Sequence, residues 1–204
     1  MRSGRDRGRE IPLKHRYRVV AIGASAGGIK ALQMLLAQLP ESFPVPIVVV
    51  QHLDPKHPSM IVSIMQRVTK LKVAEARGGD SMKPGNVYFA PPNHHLLVSQ
   101  QGTFVLVDTE LVHFVRPSAD LLFESLASFY KEGVLGVVLT GNGIDGAQGA
   151  RAIKQMGGTV ISQSEESAEF PGMPRAAIAT GCVDHILPIE RISQELIALT
   201  GNEA

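Results

Sequence analysis

The sequence has a single cysteine, Cys182, no apolar run long enough to cross a bilayer, no internal repeat and no excess of either charge. Each absence excludes something. One thiol can neither close an internal disulfide nor build a thiolate metal cluster, as expected in a reducing compartment, and its place in ATGCVDHI, at a strand entrance, gives it a packing role. A crossing needs about 18 consecutive apolar residues, and the arginine-rich start is followed by no signal-peptide core. A cytoplasmic protein without membrane insertion is therefore expected. The formal net charge is +1, yet residues 1–18 hold Arg2, Arg5, Arg7, Arg9, Lys14, Arg16 and Arg18 against only Asp6 and Glu10. The remainder is mildly acidic, so no nucleic-acid partner is expected. Residues 1–17 read as a basic, flexible arm. With 204 residues and 44% hydrophobic content, residues 18–204 read as one domain with one sizeable core.

What is present is a rhythm. RVVAIG (18–23), VPIVVVQH (45–52), GVLGVVLT (133–140), GTVISQ (158–163) and VDHILP (183–188) are short aliphatic runs, and segments of helical period such as GIKALQMLLAQL and GAQGARAIKQM stand between them. Strands that are apolar on both sides belong to a parallel sheet covered on both faces. The fold class is therefore α/β, doubly wound, with a mostly parallel sheet and helices on both faces. In the middle, KPGNVYFAPPNHHLLV and GTFVLVD (102–108) place turn residues between short strands and leave no room for crossover helices. A small antiparallel hairpin insert or sheet edge is expected there.

Functional groups of such sheets collect where strands end and helices begin, and three chemically interesting residues fall there. Ser25 lies in GASAGG (23–28), whose first five residues spell Gly-x-Ser-x-Gly. Small neighbours permit a sharp turn that exposes the hydroxyl, and the following helix N-terminus offers N–H groups to an oxyanion. The alternative is that Ser25 merely caps that helix. His52, in VVVQHLDP, follows the second strand and can lie beside the serine; the alternatives are a structural histidine or a metal ligand with Asp54 and His57, whose spacing Pro55 and Pro58 disrupt. Asp145, in TGNGIDGAQG, can accept the Nδ1 hydrogen of His52, or can cap its own helix.

Other readings compete. Gly141-x-Gly143-x-x-Gly146, with Glu165 about 20 residues on, has dinucleotide-fingerprint spacing, although only one strand follows Glu165. A GAS turn also opens many short-chain dehydrogenases. Those need Tyr-x-x-x-Lys, and the residues four after Tyr17, Tyr88 and Tyr130 are Ala21, Pro92 and Val134. An α/β-hydrolase runs in the order Ser, acid, His, with its elbow deep in the chain, whereas the order here is Ser25, His52, Asp145.

That order, with IGASAGG, VVVQHLDP, RPSADLLFESLA (116–127), GVVLTGNGIDGAQGARAI and EFPGMPRAAI (169–178), resembles the catalytic domain of the chemotaxis protein-glutamate methylesterase (CheB) family from about Arg18 to Leu199. The resemblance implies a parallel α/β sheet with an antiparallel hairpin. It implies hydrolysis of γ-glutamyl methyl esters on the cytoplasmic helices of methylated chemoreceptors, sometimes with deamidation of glutamine. Carried over, Ser25 is the nucleophile, His52 the base and then the acid, and Asp145 the group that orients His52. The backbone N–H groups of Ala26 and Asn142 would hold the oxyanion, and no metal or organic cofactor is required. Arg116 and Arg175 stand in matching motifs and are candidate substrate contacts.

Three features depart from the family pattern. Ala26 stands where threonine is usual, removing a hydroxyl that helps position the histidine, and Asn142 stands at the usual methionine position of the oxyanion loop. Backbone donation is independent of that side chain, so a slower or differently selective enzyme is one expectation; a catalytically inactive relative that binds a receptor or signalling partner is the alternative. About 17 residues precede the first strand, too few for a receiver domain, so control by phosphorylation within this chain is not expected. QHLDPKHPSM also looks like versions fused to a receptor methyltransferase, which makes such an enzyme a candidate partner.

Overall fold

The computed structural model describes residues 16–53 and 60–201. Seven strands, all paired in parallel, form one sheet: β1 (Val19–Ala24), β2 (Ile47–Gln51), β3 (Lys72–Glu75), β4 (Asn86–Phe89), β7 (Val134–Val138), β8 (Thr159–Gln163) and β9 (His185–Leu187), in the spatial order β3-β4-β2-β1-β7-β8-β9. A separate antiparallel pair, β5 (His95–Val98) with β6 (Phe104–Val107), is the hairpin insert.

The aliphatic runs form the middle of the sheet because each residue has apolar neighbours whichever way its side chain points. Along β1 every position is buried. Val20, Ile22 and Ala24 enter the layer that holds Leu32 and Leu35 of α1 (Gly28–Leu36) and Ile192 and Leu196 of α6 (Ile189–Gly201). Val19 and Ala21 face the opposite layer, built from α3 (Ala119–Tyr130), α4 (Ala147–Gln155), α5 (Gly172–Ala179) and the hairpin; its core includes Leu122, Phe123, Ile153, Met173 and Phe104. A short helix, α2 (Ile61–Gln66), follows the second strand.

One part of the middle segment differs from expectation. NVYF does not join an antiparallel insert: β4 lies between β2 and β3 in the parallel sheet, and β3 (KVAE) is a further strand at its edge. A loop without a helix joins β3 to β4, so the absence of a crossover helix did not require antiparallel pairing there. The expected basic arm lies outside the described residues except for Arg16 and Tyr17. Tyr17 is part of the core, 3% exposed, with its hydroxyl 2.9 Å from Thr159 Oγ1.

The close approach of α3 and α4 depends on Gly149, since a Cβ there would stand 2.5 Å from Phe123 Cβ. Gly149→Ala gains helix propensity, at most about 1 kcal/mol, but overpacking costs about 1–3 kcal/mol. The overpacking dominates because a β-carbon cannot swing aside as a side-chain tip can. A net loss of about 1–2 kcal/mol is expected, seen as a midpoint lowered by about 2–8 °C in thermal unfolding.

Candidate active site

Strand order fixes where the site lies. β1 is flanked by β2 on one side and β7 on the other, so the carboxyl ends of these three strands deliver Ser25, His52 and the loop with Asp145 to one edge, at the point where the chain reverses its direction of winding.

Ser25 follows β1 directly. Its N–H donates to Thr140 O at 3.0 Å, and its carbonyl accepts from Gly28 N at 2.8 Å. Gly27, at φ 72°, is the N-cap of α1, with no side-chain capping bond. Ser25 therefore does not cap that helix, and among the described residues its Oγ makes no hydrogen bond. The chain after β7 runs hard against it: a Cβ on Gly141 would stand 2.7 Å from Ser25 Cβ and collide with Met173 Sδ, so only glycine allows this approach. Among the described residues the backbone N–H groups of Ala26 and Asn142 also have no hydrogen-bond acceptor.

His52 is anchored by its N–H to Ala24 O at 3.0 Å, and its side chain is 10% exposed. Its Nε2 lies 2.8 Å from Asp145 Oδ2. The nitrogen facing the aspartate is thus Nε2 and not the expected Nδ1. With the Nε2 hydrogen given to Asp145, Nδ1 keeps its lone pair for a proton. No hydrogen bond joins Ser25 Oγ to the ring; such contacts often tighten only in the complex with substrate.

Asp145 is buried and receives four donors. Ser118 Oγ (2.8 Å) and Asp120 N (3.0 Å) donate to Oδ1; Ala119 N (2.6 Å) and His52 Nε2 donate to Oδ2. Burial pushes its pKa up, but the His52 bond and the backbone donors outweigh it and hold the carboxyl below the usual carboxylate range. The N-cap of its own helix α4 is Gly146, without a side-chain bond, so Asp145 caps α3 instead.

The service is returned by Asp120 in the first turn of α3. Its Oδ1 accepts from Gly146 N at 2.9 Å and Gly149 N at 2.7 Å, at the start of α4. Each of two helices thus holds the carboxylate preceding or opening the other. Burial, reinforced by the charge of Asp145, raises the pKa of Asp120 against the lowering effect of those N–H donors; His113 Nε2, 3.1 Å from Oδ2, also opposes the rise.

This geometry answers the dinucleotide reading. The N–H groups at the start of α4, which would cradle a pyrophosphate, are already taken by Asp120, and Glu165 pairs with Arg175 Nε at 2.8 Å instead of facing a ribose. The two arginines have protein partners: Arg116 donates to Asn93 Oδ1 and to Thr109 O at 2.7 Å, and Arg175 is held by Glu165. Asp54 and His57 lie outside the described residues. Among the described residues no group of three or more His, Cys, Asp and Glu side chains converges as metal ligands would.

Sequence reading named neither Ser118 nor Asp120, although Ser118 immediately before an apolar helical run carries the N-cap signal. Gln51, one residue before His52, was also passed over; its Nε2 donates to Ser25 O at 2.8 Å and His52 O at 2.9 Å.

A family model described as CheB methylesterase matches residues 20–196. A provisionally named protein-glutamate methylesterase/protein-glutamine glutaminase of Leptospira interrogans is 41% identical over 186 residues, covering 91% of this chain and 96% of that protein. The protein-glutamate methylesterase/protein-glutamine glutaminase of Thermotoga maritima is 40% identical over 185 residues, 89% of this chain but 54% of its own length. Among solved structures, the Thermotoga maritima CheB methylesterase catalytic domain superimposes with a TM-score of 0.87 at 39% identity, covering 90% of this chain and 99% of the other.

Proposed function

The chain belongs to the CheB methylesterase family, and from that premise we propose that it hydrolyses glutamyl methyl esters on methyl-accepting chemoreceptors through Ser25, His52 and Asp145. The observation that supports the residue assignment is a hydroxyl unused by any described protein group, delivered to the same sheet edge as an imidazole whose Nε2 is held by a buried carboxylate.

Ser25 Oγ attacks the ester carbonyl and its proton passes to His52 Nδ1. Asp145, held ionised by its four donors, stabilises the imidazolium. Negative charge develops on the carbonyl oxygen, and the N–H groups of Ala26 and Asn142, which have no acceptor among the described residues, would receive it. Collapse of the tetrahedral intermediate expels methoxide, which takes the proton from His52 and leaves as methanol. Water then loses a proton to His52 and attacks the acyl-enzyme; return of that proton to Ser25 Oγ frees the glutamate. With a glutamine side chain the same path expels ammonia, which is the second activity in the relatives' names.

The departures at Ala26 and Asn142 leave the backbone donors in place. Relatives named for both activities disfavour the binding-only alternative. The proposal is tested by methanol release from methylated chemoreceptor cytoplasmic domains. Release that is lost in His52→Ala is expected, because that variant has no imidazole to take the serine proton. A folded protein that releases neither methanol nor ammonia at any pH would overturn the reading.

A further inference from the structure

The side chain of Gln51 raises a question that the proton-transfer scheme leaves open. Gln51 ends β2, paired with Ala24 at the end of β1, and is 5% exposed. Its Nε2 bridges two carbonyls, Ser25 O and His52 O. Both acceptors are oxygens, which settles the orientation of the amide. Among the described residues its Oε1 is buried without a partner, and a Cβ on residue 28 would collide with it, so Gly28 leaves room for that oxygen. A buried amide satisfied at one end only is unfavourable beside an apolar side chain of equal length. Its use must lie at the nitrogen end.

The two bridged carbonyls belong to the residues that exchange the proton. Ala24 with Gln51 is the last pair of the β1–β2 ladder, so Ser25 and His52 lie beyond it. Their side chains make no hydrogen bond to one another, and the backbone tie is His52 N to Ala24 O. We propose that Gln51 is a positioning residue: by clamping the carbonyls of Ser25 and His52 to one amide nitrogen, it sets the approach of the hydroxyl to the ring. The inference rests on the esterase reading of these two side chains.

Two variants test it. Gln51→Met keeps the length, removes both donors and also removes the orphaned oxygen. Its kcat for methanol release is expected to fall about 10- to 100-fold, with KM within about twofold, since a misplacement of about 1 Å costs up to about 10²-fold. Its thermal midpoint should stay at or above that of the wild type. Gln51→Glu keeps the shape: ionised, it donates nothing, and protonated, it donates one O–H. Its kcat relative to the wild type is therefore expected to rise between about pH 8 and about pH 6, a trend that a merely structural role would not produce.

Labelling of Ser25 by a fluorophosphonate, followed by mass, reports the same serine activation without any receptor. A Gln51→Met protein that keeps kcat and labelling rate within twofold of wild type overturns the inference, as does a midpoint that falls in step with activity. If Gln51→Met fails to fold, a flat pH ratio for Gln51→Glu overturns it instead. A wild type that labels at Ser25 but hydrolyses no methyl ester defeats the esterase reading and leaves Gln51 to be judged by the labelling rates. A wild type that does neither defeats both.

Discussion

Ser25→Ala is expected to remove methanol release, by about 10⁴- to 10⁶-fold in kcat, while thermal stability stays within about 0.5 kcal/mol of wild type. The two halves of this expectation come from different atoms of one residue. The contacts that hold the turn are main-chain: Ser25 N to Thr140 O, and Ser25 O with Gly28 N and Gln51 Nε2. Alanine keeps all of them. The Oγ makes no hydrogen bond among the described residues and caps no helix, so its removal leaves no unsatisfied partner. Parallel assays of methanol release and thermal unfolding separate the effects. Turnover that survives in the alanine variant would mean that the attacking oxygen is not this one.

Asp145→Asn is expected to lose both activity and stability. Four donors converge on the carboxylate, two on each oxygen. An amide has one oxygen, so whichever way it turns, its NH₂ meets a pair of donors. Facing Ser118 Oγ and Asp120 N it loosens the start of α3; facing Ala119 N and His52 Nε2 it drives the ring into the tautomer that carries hydrogen on Nδ1 and cannot accept the serine proton. A fall of about 10³- to 10⁴-fold in kcat is expected, with a stability loss of about 2–4 kcal/mol from donors left buried against an amide nitrogen.

The stability difference should also depend on pH, with a definite sign. Asp145 titrates below its ordinary value of 3.8 in the folded chain, so its contribution is fully present above that value and disappears as pH falls through the lower folded pKa. Wild type and Asp145→Asn should therefore converge in strongly acidic solution and diverge toward neutrality. Asp120, raised by burial, acts in the opposite sense: ionising it in the folded chain costs stability as pH rises past 3.8. Chemical denaturation from about pH 2 to about pH 7 measures the difference curve. A constant gap would show that the carboxylate is not ionised in the folded protein.

Legibility in the sequence followed burial. VVAIG, IVVVQ and VLGVV stood out because strands covered on both faces become nearly continuous aliphatic runs. KVAE, at the sheet edge and mostly exposed, had no such signature, and NVYF read as a strand without revealing that its neighbours would be β2 and β3. The positions of Ser25, His52 and Asp145 were readable because each follows a strand at the carboxyl edge. Their mutual arrangement was not. Which nitrogen of His52 meets Asp145 depends on how two loops face one another, and the exchange of carboxylates between α3 and α4 joins residues 25 or more apart. Gln51 was hidden for the same reason: its bond to Ser25 O spans 26 residues and two neighbouring strands, beyond the reach of spacing arguments.

The position of β1 between β2 and β7 also fixes when in the life of the chain such a site can exist. Ser25, Gln51 and His52 are made early; Ser118, Asp120, Thr140 and Asp145 come after the hairpin, and the His52–Asp145 bond closes a separation of 93 residues. At about 5–20 residues per second, a growing chain carries its serine for roughly 6–24 s before Asp145 is even synthesised. During that interval the serine has a histidine within reach in sequence, but no carboxylate to hold the ring and no Gly141 loop against it. On the proposed mechanism the half-made protein would be chemically quiet, and the appearance of hydrolytic activity would mark the moment when the late strand β7 docks beside the early strand β1.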